Sequence, residues 1–333
     1  MLTIIEIAEA TGFSKSTVSA VLSGSAGGHA SEETRRVILE VATRMGYVPN
    51  QAARSLRQRR SNLIAILDSV NFGSYAPEVL RGIGSVLRSH GCQQIHCQYD
   101  YYADFQEQVR SLLAFQPDGW IVFGFTRPGV ESVMASLISR DEPVVQVCST
   151  EMCVGASGVY VDPMDVGRVA AEFLTEGGHR HVLYAAGGQG MRCLEGFSNV
   201  FTSRGLSFKR DCTLAPAETG AEFGRRLFAS WMQGGKRESA VFCYDDEMAG
   251  AFMAEAYRNH VRIPEEVSVI GIDDRDFCRF LAPSLTSVSL PKFERGVMTG
   301  KLLMKLIRNK GRQEPEVLRL QPKIIARESF KPV

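Results

Sequence analysis

No run of apolar residues in this 333-residue chain approaches the roughly 20 that span a bilayer. Glu6 and Glu9 interrupt the N-terminus where an export signal needs an unbroken apolar core. A cytoplasmic protein with no membrane partner is the expectation. The eight cysteines lack the C-x-x-C spacing of zinc and redox sites. Cys92/Cys97 and Cys148/Cys153 have four residues between them, and Cys97, Cys148 and Cys243 lie in apolar runs, as small buried thiols do. The six histidines do not gather with cysteine or carboxylate at ligand spacing, so neither a metal nor a cofactor is expected. Gly187-Gly-Gln-Gly190 is too short a glycine loop to argue for a phosphate cradle by itself, and Asp273-Asp274-Arg275-Asp276 has no paired base. Catalysis is therefore not expected.

Net charge is almost absent as well, at +1, but it is unevenly spread. Residues 1–60 hold eight basic and five acidic residues, a net +3, which leaves −2 for the rest. Four arginines (Arg54, Arg57, Arg59 and Arg60) fall within seven residues. A local basic cluster on a balanced chain points to a polyanionic partner.

The first sixty residues explain that cluster. Thr3 and Glu6 form a capping box that opens a helix, with Ile4, Ile7 and Ala8 on one face. Gly12 supplies the turn, and Ser14 caps a second helix to about Leu22. Its Val18, Val21 and Leu22 face inward and its Lys15, Ser16, Ser19 and Ala20 face outward. Ser31 caps a third helix, with Val37, Ile38, Val41 and Ala42 inward and Gly46 at its end. This spacing predicts a helix-turn-helix whose second helix would lie in the major groove of double-stranded DNA, the alternative being a plain three-helix bundle. After Pro49-Asn50, residues 51–58 carry Ala52, Ala53 and Leu56 among arginines. Such a segment suits a minor-groove wedge: arginines hold phosphates while the leucine unstacks a base step.

From Leu63 onward, apolar strand-like runs alternate with amphipathic helices, and the rhythm restarts at Val159-Tyr-Val161. Alternation of this kind gives an α/β body of parallel sheets, and two runs of it give two lobes. Ligands in such sheets bind at the carboxyl ends of strands, here facing one another across a cleft. Strand-end candidates for a small polar effector are Tyr75, Cys148, Asp245 and Asp273, with Asp246 reading as a helix N-cap.

The chain as a whole resembles the lactose/galactose repressor (LacI/GalR) family, essentially end to end. The resemblance rests on Thr3–Leu22, Ser31-Glu-Glu-Thr-Arg35, Gly46-Tyr-Val-Pro49-Asn50, Ala53-Arg-Ser-Leu56-Arg57, Asp118-Gly119 and Gly178-His-Arg-His181. It extends through Leu194-Glu-Gly196-Phe197, Ile263-Pro264, Val267-Ser-Val-Ile-Gly271-Ile-Asp273-Asp274, Pro283-Ser-Leu285-Thr286 and Arg327-Glu-Ser329. It implies a helix-turn-helix domain over 1–48, a hinge helix over 49–61 and an effector-binding, dimerising body over 62–333. The body takes the periplasmic-binding-protein-like form, with lobe 1 at about 62–157 and 291–321 and lobe 2 at about 158–290 and 322–333. It further implies a homodimer on a pseudo-palindromic operator. The DNA-contacting residues would be Lys15, Ser16, Thr17, Ser19, Ala20, Asn50, Arg54, Leu56 and Arg57, with Leu56 the intercalating leucine.

Three departures from the family pattern matter. Ala20 stands where many members carry Arg, which removes a bidentate guanine contact worth about 1–3 kcal/mol of discrimination and predicts a different operator. Cys193 stands three residues before Gly196, where an arginine commonly holds ligand, and the nearest arginine is Arg192. Cys148 replaces a frequent aspartate, and Phe125 with Tyr75 makes the pocket more apolar. The effector expected is a sugar, sugar acid, modified sugar or disaccharide. The residues leave open whether it releases or secures the operator, and whether the protein represses or activates.

Overall fold

The computed structural model describes residues 2–22, 30–47, 60–69, 76–99, 105–124, 128–148, 152–186, 190–211, 220–309 and 314–333. The chain divides into two compact units, one of residues 1–63 with 113–118, the other of the remainder.

In the first unit, α1 (Ile4–Thr11), α2 (Lys15–Leu22) and α3 (Glu32–Arg44) enclose a small core of Ile7, Val18, Val21, Ile38 and Ala42. The caps are those written in the sequence. Thr3 and Glu6 exchange hydrogen bonds at the start of α1, and Gly12 ends it with φ 72°, a left-handed conformation that glycine adopts without cost. The Thr3 backbone N–H holds the Glu6 carboxyl below the usual range. Ser14 Oγ receives the Thr17 N–H at 3.2 Å, and Ser31 Oγ that of Thr34 at 3.1 Å. In the same unit, Asp118 clasps the stretch that follows the arginine cluster. Its Oδ1 accepts from Ser61 N and its Oδ2 from Asn62 N, each at 2.9 Å, and its own N–H returns to Leu63 O at 2.8 Å.

The second unit contains two six-stranded sheets. The first is built from β1 (Leu63–Ser69), β2 (Gln93–Tyr99), β3 (Gly119–Phe123), β4 (Val144–Cys148), β5 (Ser157–Val161) and β11 (Val317–Leu320), in the order β11-β5-β4-β3-β1-β2. The second is built from β6 (Val182–Ala185), β7 (Lys209–Asp211), β8 (Ala240–Cys243), β9 (Ser268–Ile272), β10 (Thr286–Ser289) and β12 (Lys323–Ile325), in the order β12-β10-β9-β8-β6-β7. In the first sheet β1, β3, β4, β5 and β11 pair in parallel; in the second, β6, β7, β8, β9 and β10 pair in parallel and β12 is antiparallel to β10. Central strands are buried on both faces, which is why they read as continuous apolar runs.

Helices cover both sheets. In the first lobe, α4 (Ala76–Ser89) and α11 (Lys292–Arg308) pack on Ile64, Ile66, Ile121 and Val145. Helices α5 (Phe105–Leu113) and α6 (Pro128–Ser139) also belong to this lobe. In the second lobe, α7 (Pro163–Glu176) and α8 (Met191–Ser203) pack on Tyr184, Phe242 and Ile270. Helices α9 (Gly220–Gln233) and α10 (Asp246–Arg258) pack on Leu183, Val241 and Val269. Odd and even strand residues thus feed two separate cores.

Three elements, β5, β7 and α9, differ from the sequence reading. Strand β5, where the repeating rhythm starts a second lobe, pairs with β4 and β11 and completes the first sheet. The chain leaves that sheet only after Val161, with β5 lying between β4 and the edge strand β11. Strand β7 and helix α9 were not anticipated. Strand β7 reads Lys-Arg-Asp, with no apolar alternation to mark it. The chain passes between the sheets three times: from β5 to α7, from β10 to α11, and from β11 to β12.

The chain end is fastened to the second lobe by His179, which is fully buried. Its Nε2 lies 3.0 Å from Lys331 O and its Nδ1 2.8 Å from Ser239 Oγ, the pattern of a neutral ring donating at one nitrogen and accepting at the other. Burial pushes its pKa down from 6.5. A depressed histidine pKa means that the fold favours the neutral form. This contribution to stability is present above pH 6.5 and is lost as pH falls through the lower, folded value. Thermal unfolding at pH 7.5 and 5.5 is expected to show the parent losing stability with acid, and His179→Gln losing much of that dependence. An equal acid loss in both proteins would assign the effect elsewhere.

Candidate functional site

The DNA-reading candidates on α2 divide by exposure. Lys15 and Ser16 are exposed at its N-terminal end, Thr17, Ser19 and Ala20 are half-buried, and Val18 and Val21 turn into the core. Ser14 Oγ lies 2.8 Å from both Ser16 Oγ and Thr17 Oγ1, so the first turn presents an ordered set of hydroxyls beside one lysine. A helix N-terminus carrying exposed donors suits phosphates and base edges. Asn50, Arg54, Leu56 and Arg57 lie outside the described residues.

In the second lobe, candidate residues meet at the carboxyl ends of β6, β8 and β9. Asp273 follows β9 directly and has φ 103°, and Asp274 follows with φ 51°. Two consecutive non-glycine residues in this region are costly, about 1–3 kcal/mol each, and mark a turn that its surroundings enforce. Burial raises the Asp273 carboxyl to about 6. Lys292 and Arg275 oppose that rise, while Asp246 and Asp245 add to it. Arg275 Nε stands 3.8 Å from Asp273 Oδ2. Tyr244, between β8 and Asp245, is also raised, first by burial and then by Cys193, Asp273 and Asp245.

Of the two adjacent aspartates, the N-cap is Asp245 and not Asp246. Asp245 is the N-cap of α10, accepting from Met248 N at 2.7 Å. Asp246 is not the cap: it is the first helical residue and fully buried, accepting from Ser287 Oγ at 2.6 Å and Arg275 N at 2.8 Å. The reason is backbone geometry. Asp245 leaves β8 still extended, at φ −148°, ψ 162°, which is the N-cap conformation. Its second carboxylate oxygen is not engaged in the cap.

Arg192 and Cys193 open α8 and point to different surroundings. Cys193 is fully buried in the core with Tyr184 and Phe197, and burial pushes its thiol up to about 12. It fills volume there and is not a solvent-facing donor. Arg192 is 42% exposed, with Nη2 3.5 Å from Asp162 Oδ1. Asp162 caps α7 where the chain leaves the first sheet, and Arg319 of β11 approaches its other oxygen at 3.3 Å. In the first lobe, Cys148 closes β4 in register with Tyr160, with its side chain outside the described atoms. Tyr75 and Phe125 lie outside the described residues.

Asp162, Tyr244 and Ser287 belong to these surroundings, and Asp68 stands near the end of a strand of the first lobe. Asp162-Pro163 is a strand-end cap signal visible in the sequence. Tyr244 ends a strand-like run, another usable signal. Ser287, inside a strand, offers none. Asp68, near the carboxyl end of β1, is 2% exposed. One of its oxygens is 3.5 Å from His96 Nε2, and the other has no hydrogen bond among the described residues. Among the described residues, no group of three histidines, cysteines or carboxylates is placed to hold a metal. No helix among them is long and apolar enough to cross a membrane.

Comparison with known proteins agrees with this geometry. Residues 3–50 match the model of bacterial regulatory proteins of the lacI family, and residues 171–330 match that of the periplasmic binding protein-like domain. The HTH-type transcriptional regulator GntR of Pseudomonas aeruginosa is 28% identical over 331 residues, covering 98% of this chain and 95% of its own. The HTH-type transcriptional repressor PurR of Vibrio cholerae is 26% identical over 341 residues, covering 99% and 98%. The fold is shared with the lac repressor dimer bound to operator and the anti-inducer ONPF, with a TM-score of 0.81, 20% identity and 98% of each chain covered. It is also shared with the transcriptional regulator CelR–cellobiose complex, with a TM-score of 0.68, 24% identity and coverage of 99% and 100%. The chain thus carries the helix-turn-helix domain of the lacI family of bacterial regulatory proteins, followed in sequence by a periplasmic binding protein-like domain, and is similar over nearly its whole length to HTH-type transcriptional regulators.

Proposed function

We propose that this protein is a cytoplasmic, dimeric transcriptional repressor without catalytic activity, whose grip on a pseudo-palindromic operator is set by a small polar metabolite held between the two lobes. The observation that carries this reading is the combination, in one chain, of the exposed α2 terminus (Lys15, Ser16) with the enforced Asp273 turn. Lys15, Ser16, Thr17, Ser19 and Ala20 read bases and phosphates. Arg54 and Arg57 hold the backbone, and Leu56 wedges the central step. In the cleft, Asp273 and the uncapped oxygen of Asp245 accept hydroxyl hydrogens, and Arg192 takes an electronegative group. A carbohydrate or a sugar acid satisfies that donor and acceptor pattern. Proteins of the same fold support the class: one neighbour holds cellobiose and another holds ribose. Coupling between cleft and operator needs only about 1–3 kcal/mol.

A genome-wide footprint of the purified protein is the test. A protected palindrome overlapping a promoter beside a catabolic or transport operon is the expected result. Sites well upstream of promoters would make the protein an activator, and no protected site at low salt would end the regulatory reading. Asp273→Ala is then expected to abolish the response to the operon's metabolite while leaving operator affinity within about twofold, since the change is confined to the cleft. A surviving response places the effector elsewhere.

A further inference from the structure

The Asp273 turn is held by hydrogen bonds to groups outside the proposed effector contacts. Three consecutive backbone N–H groups are each satisfied by a different partner. Asp273 N donates to Val288 O at 3.0 Å, Asp274 N to Ser287 Oγ at 3.0 Å, and Arg275 N to Asp246 Oδ2 at 2.8 Å. Ser287 Oγ, having accepted from Asp274, donates to Asp246 Oδ1 at 2.6 Å. The carboxylate of Asp246 therefore closes a ring through Ser287 and the turn, with both oxygens used. Arg327 completes the support, reaching Asp274 Oδ1 at 2.6 Å and Leu285 O at 2.7 Å.

The strand above makes room for this ring. A Cβ on Gly271 would overlap Asp246 Oδ1, so glycine at that position leaves the space the carboxylate occupies. Asp246 is itself fully buried, and burial raises its pKa while the bonds from Ser287 and Arg275 lower it. A buried carboxylate is retained at a cost, and here its hydrogen bonds go to a turn that would otherwise relax out of two left-handed residues.

We infer that Asp246, acting through Ser287 and the Arg275 backbone, is a positioning residue that holds Asp273 in its effector-binding conformation. The inference rests on the reading that Asp273 holds the effector. It also gives β10 a second role. Ser287 lies on the strand that passes the chain to α11, whose buried Lys292 acts electrostatically on both Asp273 and Asp246. The turn that meets the ligand is thus bonded to the strand that crosses between lobes.

The test needs no ligand. Full-length protein with carbon-13 aspartate carboxylates and nitrogen-15 amides is titrated by NMR, with Asp273 and Asp274 identified from the signals lost in their Asn variants. The groups acting on Asp273 are Asp245, Asp246, Lys292 and Arg275. In Asp246→Ala, the Asp273 and Asp274 amides are expected to leave their left-handed shifts, and the acid constant of Asp273 to rise about tenfold as the carboxyl gains solvent and loses a negative neighbour. In Asp246→Asn, whose amide oxygen still accepts from Arg275 N and whose NH2 donates to Ser287 Oγ where the carboxylate accepted from it, the amides should stay in place. Unmoved amides in the Ala variant, or equal displacement in the Asn variant, overturns the inference. If the Ala variant fails to fold, Ser287→Ala, which changes no charge, must move the same two amides. These outcomes are independent of whether Asp273→Ala still answers the metabolite, so failure of the clamp and failure of the effector assignment are distinguishable.

Discussion

Raising salt from 50 to 200 mM is expected to weaken operator binding by about 10³–10⁵-fold, the response of a protein that neutralises roughly six to ten phosphates. The charge needed is concentrated rather than general. The whole chain is only +1, yet four arginines fall between residues 54 and 60, with Lys15 exposed at the tip of α2. A dimer doubles that set. Counterion release scales with the phosphates contacted and not with net protein charge, so a nearly neutral molecule can show a steep slope. Titration of a fluorescent operator duplex at four or five salt concentrations measures it. A slope near zero would sink the role of the arginine cluster, while a shallow slope of one or two would leave α2 as the only electrostatic contact. Ala20 sharpens the same experiment. Without an arginine to bond guanine at that position, more of the affinity comes from the backbone, and discrimination there falls by the 1–3 kcal/mol of one bidentate pair.

Gly167→Ala is expected to destabilise the body by about 3 kcal/mol or more, at the upper end of what overpacking costs. Helices α7 and α8 cross at two glycines. A Cβ on Gly167 would overlap Cys193 O, and one on Gly196 would overlap Met164 O. Both obstacles are backbone, so no side-chain rotation relieves them, and the helices must separate. Separation strips contacts from Val166, Ala170, Phe197 and Val200 along the shared core. It also moves the first turn of α8, which carries Arg192 beside Asp162. Urea unfolding followed by tryptophan fluorescence gives the number. A loss under 1 kcal/mol would mean that the helices can move apart cheaply, and Arg192 would then be far less fixed than its place at the crossover requires.

Much of this molecule was legible in its residues because the signals are local. Caps at Thr3, Ser14 and Ser31 define the three head helices, and Gly12 and Gly46 end two of them with positive φ. Doubly buried strands announce themselves as apolar runs, and Asp273 stands at a strand end where ligand sites of open α/β sheets lie. Strand β7 escaped notice because three polar residues carry no period, and β5 fell in the wrong lobe because strand identity says nothing about which sheet has a free edge.

The sequence by itself determined the helix-turn-helix, the basic segment that follows it and the alternating body, since each follows from spacing along the chain. Only the tertiary structure decided which aspartate caps and which is buried, that Cys193 is core, that Arg192 leans on Asp162, and that Asp246 and Ser287 brace the Asp273 turn. Those facts depend on contacts between residues up to 41 positions apart in the chain, such as Ser287 with Asp246. Neighbouring aspartates are chemically identical until the fold gives one solvent and the other a serine.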